Sequence, residues 1–236
     1  MTDPFYTDLL DAFKQPGCPV CRLERSAIDS YLDILFQSNL NDIEVRQCLR
    51  ESLGLCREHS WQMLNSKFGD DLTFSLIYHD ILQSAIYGLQ SVEKPPQPPR
   101  RIHSMLERFK HNPTQKYKTA VLPLTPQKCC PACEQRDRTA QLAVEILGIS
   151  LENEIMSNAL TSSDGLCLPH LRLAFVQIQE AMACQILLAI SNKKLESLRR
   201  ELVEIIRENE NQSTKKGFKE MKSTCARIIG VMVGEQ

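Results

Sequence analysis

The sequence predicts an all-α protein of two tandem helical repeat units, each stapled by a Cys3His metal site and joined by a proline-rich basic bridge. Three observations lead there. One ligand pattern occurs twice: Cys18-Pro19-Val20-Cys21 leads to Gly54-Leu55-Cys56-Arg57-Glu58-His59, and Cys130-Pro131-Ala132-Cys133 leads to Gly165-Leu166-Cys167-Leu168-Pro169-His170. The arms are separated by 34 residues in the first copy and 33 in the second, as expected if a whole unit was duplicated with its ligands in register. Outside the bridge, apolar residues recur at steps of three and four, the period of a helix with one buried face. The expected division is therefore 1–93, 94–128 and 129–236.

Pro4 to Phe13 reads as a short amphipathic helix, with Asp3 as its N-cap and Phe5, Leu9, Leu10 and Phe13 on one face. Gln15-Pro16-Gly17 stops it before the first Cys-Pro knuckle. Arg22 to Gln37 carries Ile28, Leu32, Ile34 and Leu35, and a turn at Ser38 to Asn41 follows, where Asn41 and Glu44 have capping-box spacing. A third helix is expected from Asp42 to Leu53, with Gly54 as its left-handed C-terminal residue. Cys56 then opens a helix with His59 one turn along. A long helix should run from Asp70 to Val92 after the break at Gly69. Pro95, Pro96, Pro98 and Pro99 exclude helix or central strand because each fixes φ and removes an amide donor. The bridge continues as a short basic helix, Arg101 to Lys110, and an irregular stretch to Lys128. In the second half we expect helices from Glu134 to Leu147, to about Ser162, from Cys167, from Ala181 to Asn209 and from Lys215 to Val233. Leu195, Leu198, Leu202 and Ile205 mark a lengthwise packing seam on the longest of these.

Each quartet offers three thiolates and an imidazole, the donor set of a closed tetrahedral zinc site. Cys18, Cys21, Cys56 and His59 are expected to form one site, and Cys130, Cys133, Cys167 and His170 the other, for two zinc ions in all. Iron–sulfur clusters are the rival cofactor, since thiolate sites accept them too. A thioredoxin-like dithiol lacks its strand-rich surroundings, and c-type haem fails because Arg22 and Glu134 stand where its histidine would be. Among the other cysteines, Cys48, Cys184 and Cys225 read as buried small hydrophobes, while Cys129 reads either as a replacement ligand or as a reactive spare thiol near the zinc, with the matched repeat offset favouring Cys130 as the ligand. His79 reads as a packing histidine, Trp61 as a roof over the first site or its core, and Glu24 and Asp137 as solvated first-turn carboxylates, favoured over a place behind the metal ligands. No nucleophile–base pair, phosphate-binding glycine loop or His-Glu-x-x-His helix is present in the sequence.

The chain has 236 residues, 42% hydrophobic, with ten cysteines that would suggest disulfides in a secreted protein. Met1 to Lys14 has no apolar signal core, and the most apolar stretch, Ala181 to Ile190, is about half a membrane span. The expectation is a cytoplasmic protein with reduced thiols and no membrane association. A formal net charge of −1 gives no overall pull toward nucleic acid. The segment from Lys94 to Lys128 is nonetheless basic, with eight Lys and Arg residues against the single acid Glu107. Phe109 and Tyr117 are its only aromatics, too few for a dedicated single-strand binder.

CPVC…GLCREH and CCPAC…GLCLPH resemble a family of uncharacterised prokaryotic proteins of similar length in which CPxC and GxCxxH recur in two copies. The resemblance implies a duplicated helical metal-binding fold in the cytoplasm and implies no activity. Four protein ligands per site leave no open position for catalysis, so the expected role is a scaffold or regulatory interaction protein with a protein partner. The alternatives are an iron–sulfur redox protein and, less favoured, nucleic-acid binding through the bridge.

Overall fold

A computed structural model describes residues 4–37, 42–65, 71–93, 119–210 and 218–234. Among the described residues the chain is all-helical: α1 (Pro4–Phe13), α2 (Pro19–Gln37), α3 (Ile43–Glu51), α4 (Arg57–Leu64), α5 (Asp71–Glu93), a 3-10 helix (Thr119–Leu124), α6 (Pro131–Ser150), α7 (Glu154–Ser162), α8 (Leu168–Gln177), α9 (Ala181–Glu210) and α10 (Phe218–Val233). The expected N-cap Asp3, the proline run and the basic helix at 101–110 lie outside the described residues.

Most boundaries fall close to the periodicity, with one systematic difference. The helices after both Cys-Pro knuckles start three residues earlier than expected, at Pro19 and Pro131. Proline suits the first helical position because its missing N–H would have no intrahelical partner there and its φ is already helical. The knuckle is thus the first turn of the helix itself. α6 also continues through Gly148 to Ser150, three residues past the expected end at Leu147. The N-cap of α3 is Asp42, not Asn41; its carboxylate accepts from the backbone N–H groups of Glu44 and Val45. α3 ends in a Schellman motif in which Gly54 N–H donates to Leu49 O at 2.7 Å and Leu53 N–H to Arg50 O at 3.2 Å. Leu53 as well as Gly54 adopts positive φ there, 53° and 89°.

The chain divides into two compact units, Met1–Ile28 with Gln135–Gln236, and Asp29–Glu134. The division at 93 and 129 follows motif order instead. In the first unit, Leu9 and Phe13 of α1, Val144 and Leu147 of α6, Met156 and Leu160 of α7 and Leu187 of α9 form one buried apolar cluster that includes Cys18, Cys21 and Cys167. Leu195, Leu198, Leu202 and Ile205 are half-buried, and Arg227 of α10 pairs with Glu201 of α9. The second unit buries Leu32, Leu35, Leu49, Met63, Ile77 and Ile81. There α5 packs on α3 and on the 3-10 helix. A Cβ on Gly88 would overlap Pro123 Cβ, so only glycine permits that approach. The end of the expected bridge docks here as well: Gln127 N–H donates to Glu51 O at 2.7 Å, and Lys128 Nζ pairs with Glu51 at 2.6 Å.

Several side chains differ from expectation. Trp61 is 61% exposed and roofs nothing, and His79 is exposed on α5. Cys225 is exposed too, while Cys48 and Cys184 are half-buried.

Candidate metal centres

All eight expected ligands gather into two quartets, but the pairing is exchanged between the halves. Cys18 and Cys21 meet Cys167 and His170, and Cys130 and Cys133 meet Cys56 and His59. The expected pairing of each knuckle with the Cys-x-x-His of its own half is therefore corrected. Helix length supplies the reason. The 19 residues of α2 advance about 28 Å and the nine of α3 return only about 13 Å, so the chain does not naturally come back to its own knuckle before α4 begins. The same mismatch separates α6, with 20 residues, from α7, with nine.

The four arms share one local geometry. Cys18, Cys56, Cys130 and Cys167 each stand just before a helix, and their carbonyls accept from the N–H four residues on, at 3.2, 2.9, 3.0 and 2.8 Å. Cys21, His59, Cys133 and His170 each occupy the third helical position. Each centre therefore lies where two helix N-termini converge, with unsatisfied amides and positive dipole ends that favour thiolate over thiol. Gly54 and Gly165, both at φ near +90° (89° and 87°), turn the chain into the Cys-x-x-His helices.

In the first centre His170 Nδ1 lies 3.1 Å from Cys167 Sγ, 3.4 Å from Cys21 Sγ and 3.5 Å from Cys18 Sγ, and Cys21 Sγ lies 3.7 Å from Cys167 Sγ. The second repeats this: His59 Nδ1 is 3.2, 3.5 and 3.6 Å from Cys56, Cys133 and Cys130, and Cys133 Sγ is 3.7 Å from Cys56 Sγ. One metal with metal–sulfur bonds of about 2.3 Å and metal–nitrogen bonds of about 2.0–2.1 Å would place tetrahedral S···S edges at about 3.8 Å and S···N edges at about 3.5 Å. The observed edges fit that tetrahedron, and they are far too long for a disulfide.

The surroundings differ. All four ligands of the first centre are buried, whereas Cys56 and Cys133 of the second are half-buried. His170 Nε2 faces Glu24 Oε1 at 3.2 Å, which puts its proton on Nε2 and frees the Nδ1 lone pair for a metal. Glu24 lies one turn beyond Cys21 on α2 and is 15% exposed, so it is no solvated carboxylate. Asp137, by contrast, is exposed and pairs with Arg136. Burial depresses the pKa of His170, but hydrogen bonds to Cys167, Cys18, Cys21 and Glu24 outweigh it and raise the value overall. Cys133 is raised in the second centre, first by burial and then by Cys130 and Cys56, a crowding that a bound cation relieves.

Two further features adjoin the first centre that the sequence reading did not single out. Gly234, after α10, stands so close that a Cβ would lie 3.4 Å from Cys21 Sγ and 3.8 Å from Cys167 Sγ. A cavity of about 310 Å³ between Cys18, Cys167, Asp164 and the small face of α10 at Ser223, Ala226 and Gly230 leads toward the same sulfurs. Asp164 also fixes the knuckle, accepting from Gly17 N–H at 2.7 Å. In the second unit, burial followed by Cys48, Cys130 and Glu134 raises the Tyr31 pKa, so Tyr31 and Cys48 are neutral neighbours of Cys130.

No described helix is long and apolar enough to cross a membrane. The chain is 33% identical over 76 residues to an uncharacterised 23.9 kDa protein encoded in the xynA 3′ region of Caldicellulosiruptor sp. (strain Rt8B.4), a match covering 32% of this chain and 36% of that protein. No solved structure matches. Residues 2–236 match the family described as "Family of unknown function (DUF6062)", and the chain belongs to that family.

Proposed function

We propose that the protein is a zinc-binding helical scaffold, an interaction or regulatory protein in which two structural Cys3His sites hold distant parts of the chain together. The observation that carries this reading is the pair of tetrahedral quartets whose four corners are all protein atoms. Zinc suits three thiolates and one imidazole, has no redox chemistry, and gains no open position here for water or substrate. The short S···S and S···N edges favour one metal per quartet over an iron–sulfur cluster, whose bridging sulfides would spread the cysteines over several irons. Free thiols at all ten cysteines agree with a reducing compartment, the cytoplasm in this reading.

Elemental analysis of protein purified without oxygen tests the proposal. Two zinc atoms per chain and no acid-labile sulfide are expected. A brown protein with stoichiometric iron and sulfide would replace the scaffold with an electron-transfer reading. The partner is proposed to be a protein; of the described residues of the basic segment, Lys128 is already engaged by Glu51. Tight, salt-dependent nucleic-acid binding would bring the alternative forward instead.

A further inference from the structure

The two centres share a donor set but not its accessibility. The cysteines of the first, Cys18, Cys21 and Cys167, are at most 6% exposed. In the second, Cys130 is buried while Cys56 and Cys133 are half-buried. A thiol is oxidised from solvent according to its thiolate character and its exposure. Helix starts favour the thiolate in both centres, since Cys56 and Cys167 each precede a helix and Cys133 and Cys21 each lie in a first turn. Exposure is what separates them, and it singles out Cys56 and Cys133.

The same two sulfurs are neighbours. Cys133 Sγ donates toward Cys56 Sγ at 3.7 Å, and a disulfide needs that distance to close to about 2.0 Å. The bond would join residues 77 apart in sequence and tie the start of α6 to the start of α4, which is the link that a metal makes there. Oxidation at this edge therefore exchanges one staple for another. Cys130 is shielded by burial from an oxidant in solvent, and the exposed Cys129 has no place in the quartet.

We infer that the second centre is a thiol-oxidation site for a hydroperoxide, at which Cys56 and Cys133 form a disulfide and one metal is released while the first centre keeps its own. The inference rests on the metal-binding reading and adds a regulation to it. The Cys133 sulfur attacks the hydroxyl oxygen of the hydroperoxide and the O–O bond breaks. The other oxygen takes a solvent proton and leaves as water or an alcohol, and Cys133 becomes a sulfenic acid. The Cys56 thiolate then attacks that sulfur; the S–S bond forms, the S–O bond breaks, and the hydroxide leaves as water with a second solvent proton. Two thiolates give up two electrons and one peroxide takes them. The reverse order of attack gives the same product. A quartet reduced to Cys130 and His59 no longer encloses a metal. A half-exposed disulfide is open to exchange, so a small thiol reverses the step.

The test uses the full chain purified in reductant without oxygen, with its metal counted by elemental analysis. After the reductant is removed, hydrogen peroxide is added in small excess, and the metal retained after gel filtration is compared with a sample that saw no peroxide. Unreduced peptides are mapped by mass spectrometry. Retained metal should fall from two to one as a Cys56–Cys133 disulfide appears, and dithiothreitol with added zinc should restore the second. Cys48→Ala and Cys129→Ala should change neither the loss nor the pairing, since both thiols lie outside the quartet. A bond that includes Cys48, Cys129 or Cys130 would overturn the inference. So would equal loss from both centres, or sulfinic acid at Cys133 with no disulfide. Because metal is counted beforehand, the two readings fail separately. A chain isolated without zinc that still formed the Cys56–Cys133 bond would count against the zinc scaffold and not against the oxidation site, whereas two zinc atoms untouched by peroxide would do the reverse.

Discussion

The two metal centres have nearly the same edges and different surroundings, which separates what the local motif determines from what the fold adds. In both, the S···N edges run from 3.1 to 3.6 Å, and the Cys21–Cys167 and Cys133–Cys56 S···S edges are 3.7 Å. The motif supplies the shortest edge of each centre, 3.1 and 3.2 Å within Cys-x-x-His, because a cysteine before a helix and a ligand at its third position share one face, and the meeting of two such helix starts supplies the rest. What differs comes from elsewhere in the chain. The first centre has cysteines in the apolar cluster, Glu24 behind its histidine and Gly234 against its sulfurs. The second has two half-buried thiols and spare cysteines nearby in sequence and space, Cys129 and Cys48.

Ligand loss should bring out the largest difference. Cys167→Ser leaves three buried donors without their cation inside the core of the first unit, and breaking a buried charge set by removing one partner costs about 3–5 kcal/mol. Cys133→Ser should release one metal as well, yet cost less, since the substituted position and Cys56 are half-exposed and regain water. Elemental analysis should read one zinc in each variant, and thermal unfolding should rank Cys167→Ser below Cys133→Ser. Equal melting temperatures would mean that burial does not distinguish the centres.

The eight Cys and His residues that gather in the two quartets were legible in the sequence, and so were most helices, because motif spacing and apolar period are local. The pairing was not. Spacers of 34 and 33 residues suit within-half closure as well as exchange, and only the unequal lengths of α2 and α3 argue against the former. The early helix starts could have been read: Cys-Pro is an N-cap followed by the residue best suited to the first helical position. Glu24 could also have been placed one turn from Cys21, but nothing local says that His170, 146 residues further on, comes to meet it. Trp61 and His79 are exposed although their sequence neighbours are apolar, because an apolar neighbourhood in sequence does not say which face of α4 or α5 is buried.

Exposure should also order the release of metal. A chelator in excess is expected to remove one equivalent quickly and the second slowly, with Cys56, Cys130 and Cys133 becoming open to alkylation in the fast phase. Cys129 and Cys225 are exposed and should label at once whether or not metal is bound. Peptide mapping of the labelled thiols checks this. Cys18 or Cys167 appearing in the fast phase would show that the cavity beside the first centre, not the exposure of the second, governs access.

Glu24→Gln removes a carboxylate but keeps an acceptor for His170 Nε2–H. Loss of such a partner typically costs about 10- to 100-fold in metal affinity, and the amide variant should fall at the lower end. Competition with a chromogenic chelator at fixed pH measures it. Asp137→Asn serves as the control, since that carboxylate is exposed and paired with Arg136. A loss that is the same in both variants would deny Glu24 its role behind His170.

The smallest effect is expected at Gly234. Its φ of +88° is open to glycine and costs an alanine about 1 kcal/mol, while the added methyl would sit at ordinary contact distance from Cys21 Sγ, 3.4 Å. Two opposed consequences follow for Gly234→Ala. Strain at the C-terminus of α10 loosens that cover, whereas a methyl that stayed in place would seal the sulfurs from water. Strain should win, because the added methyl gains only an ordinary contact against a cost of about 1 kcal/mol. Metal release from the first centre should then speed up by about fivefold or less, with the second centre unchanged, read as the slow phase of the chelator experiment. A slower release would show that the methyl is accommodated and that α10 is held more firmly over the sulfurs than its backbone geometry implies.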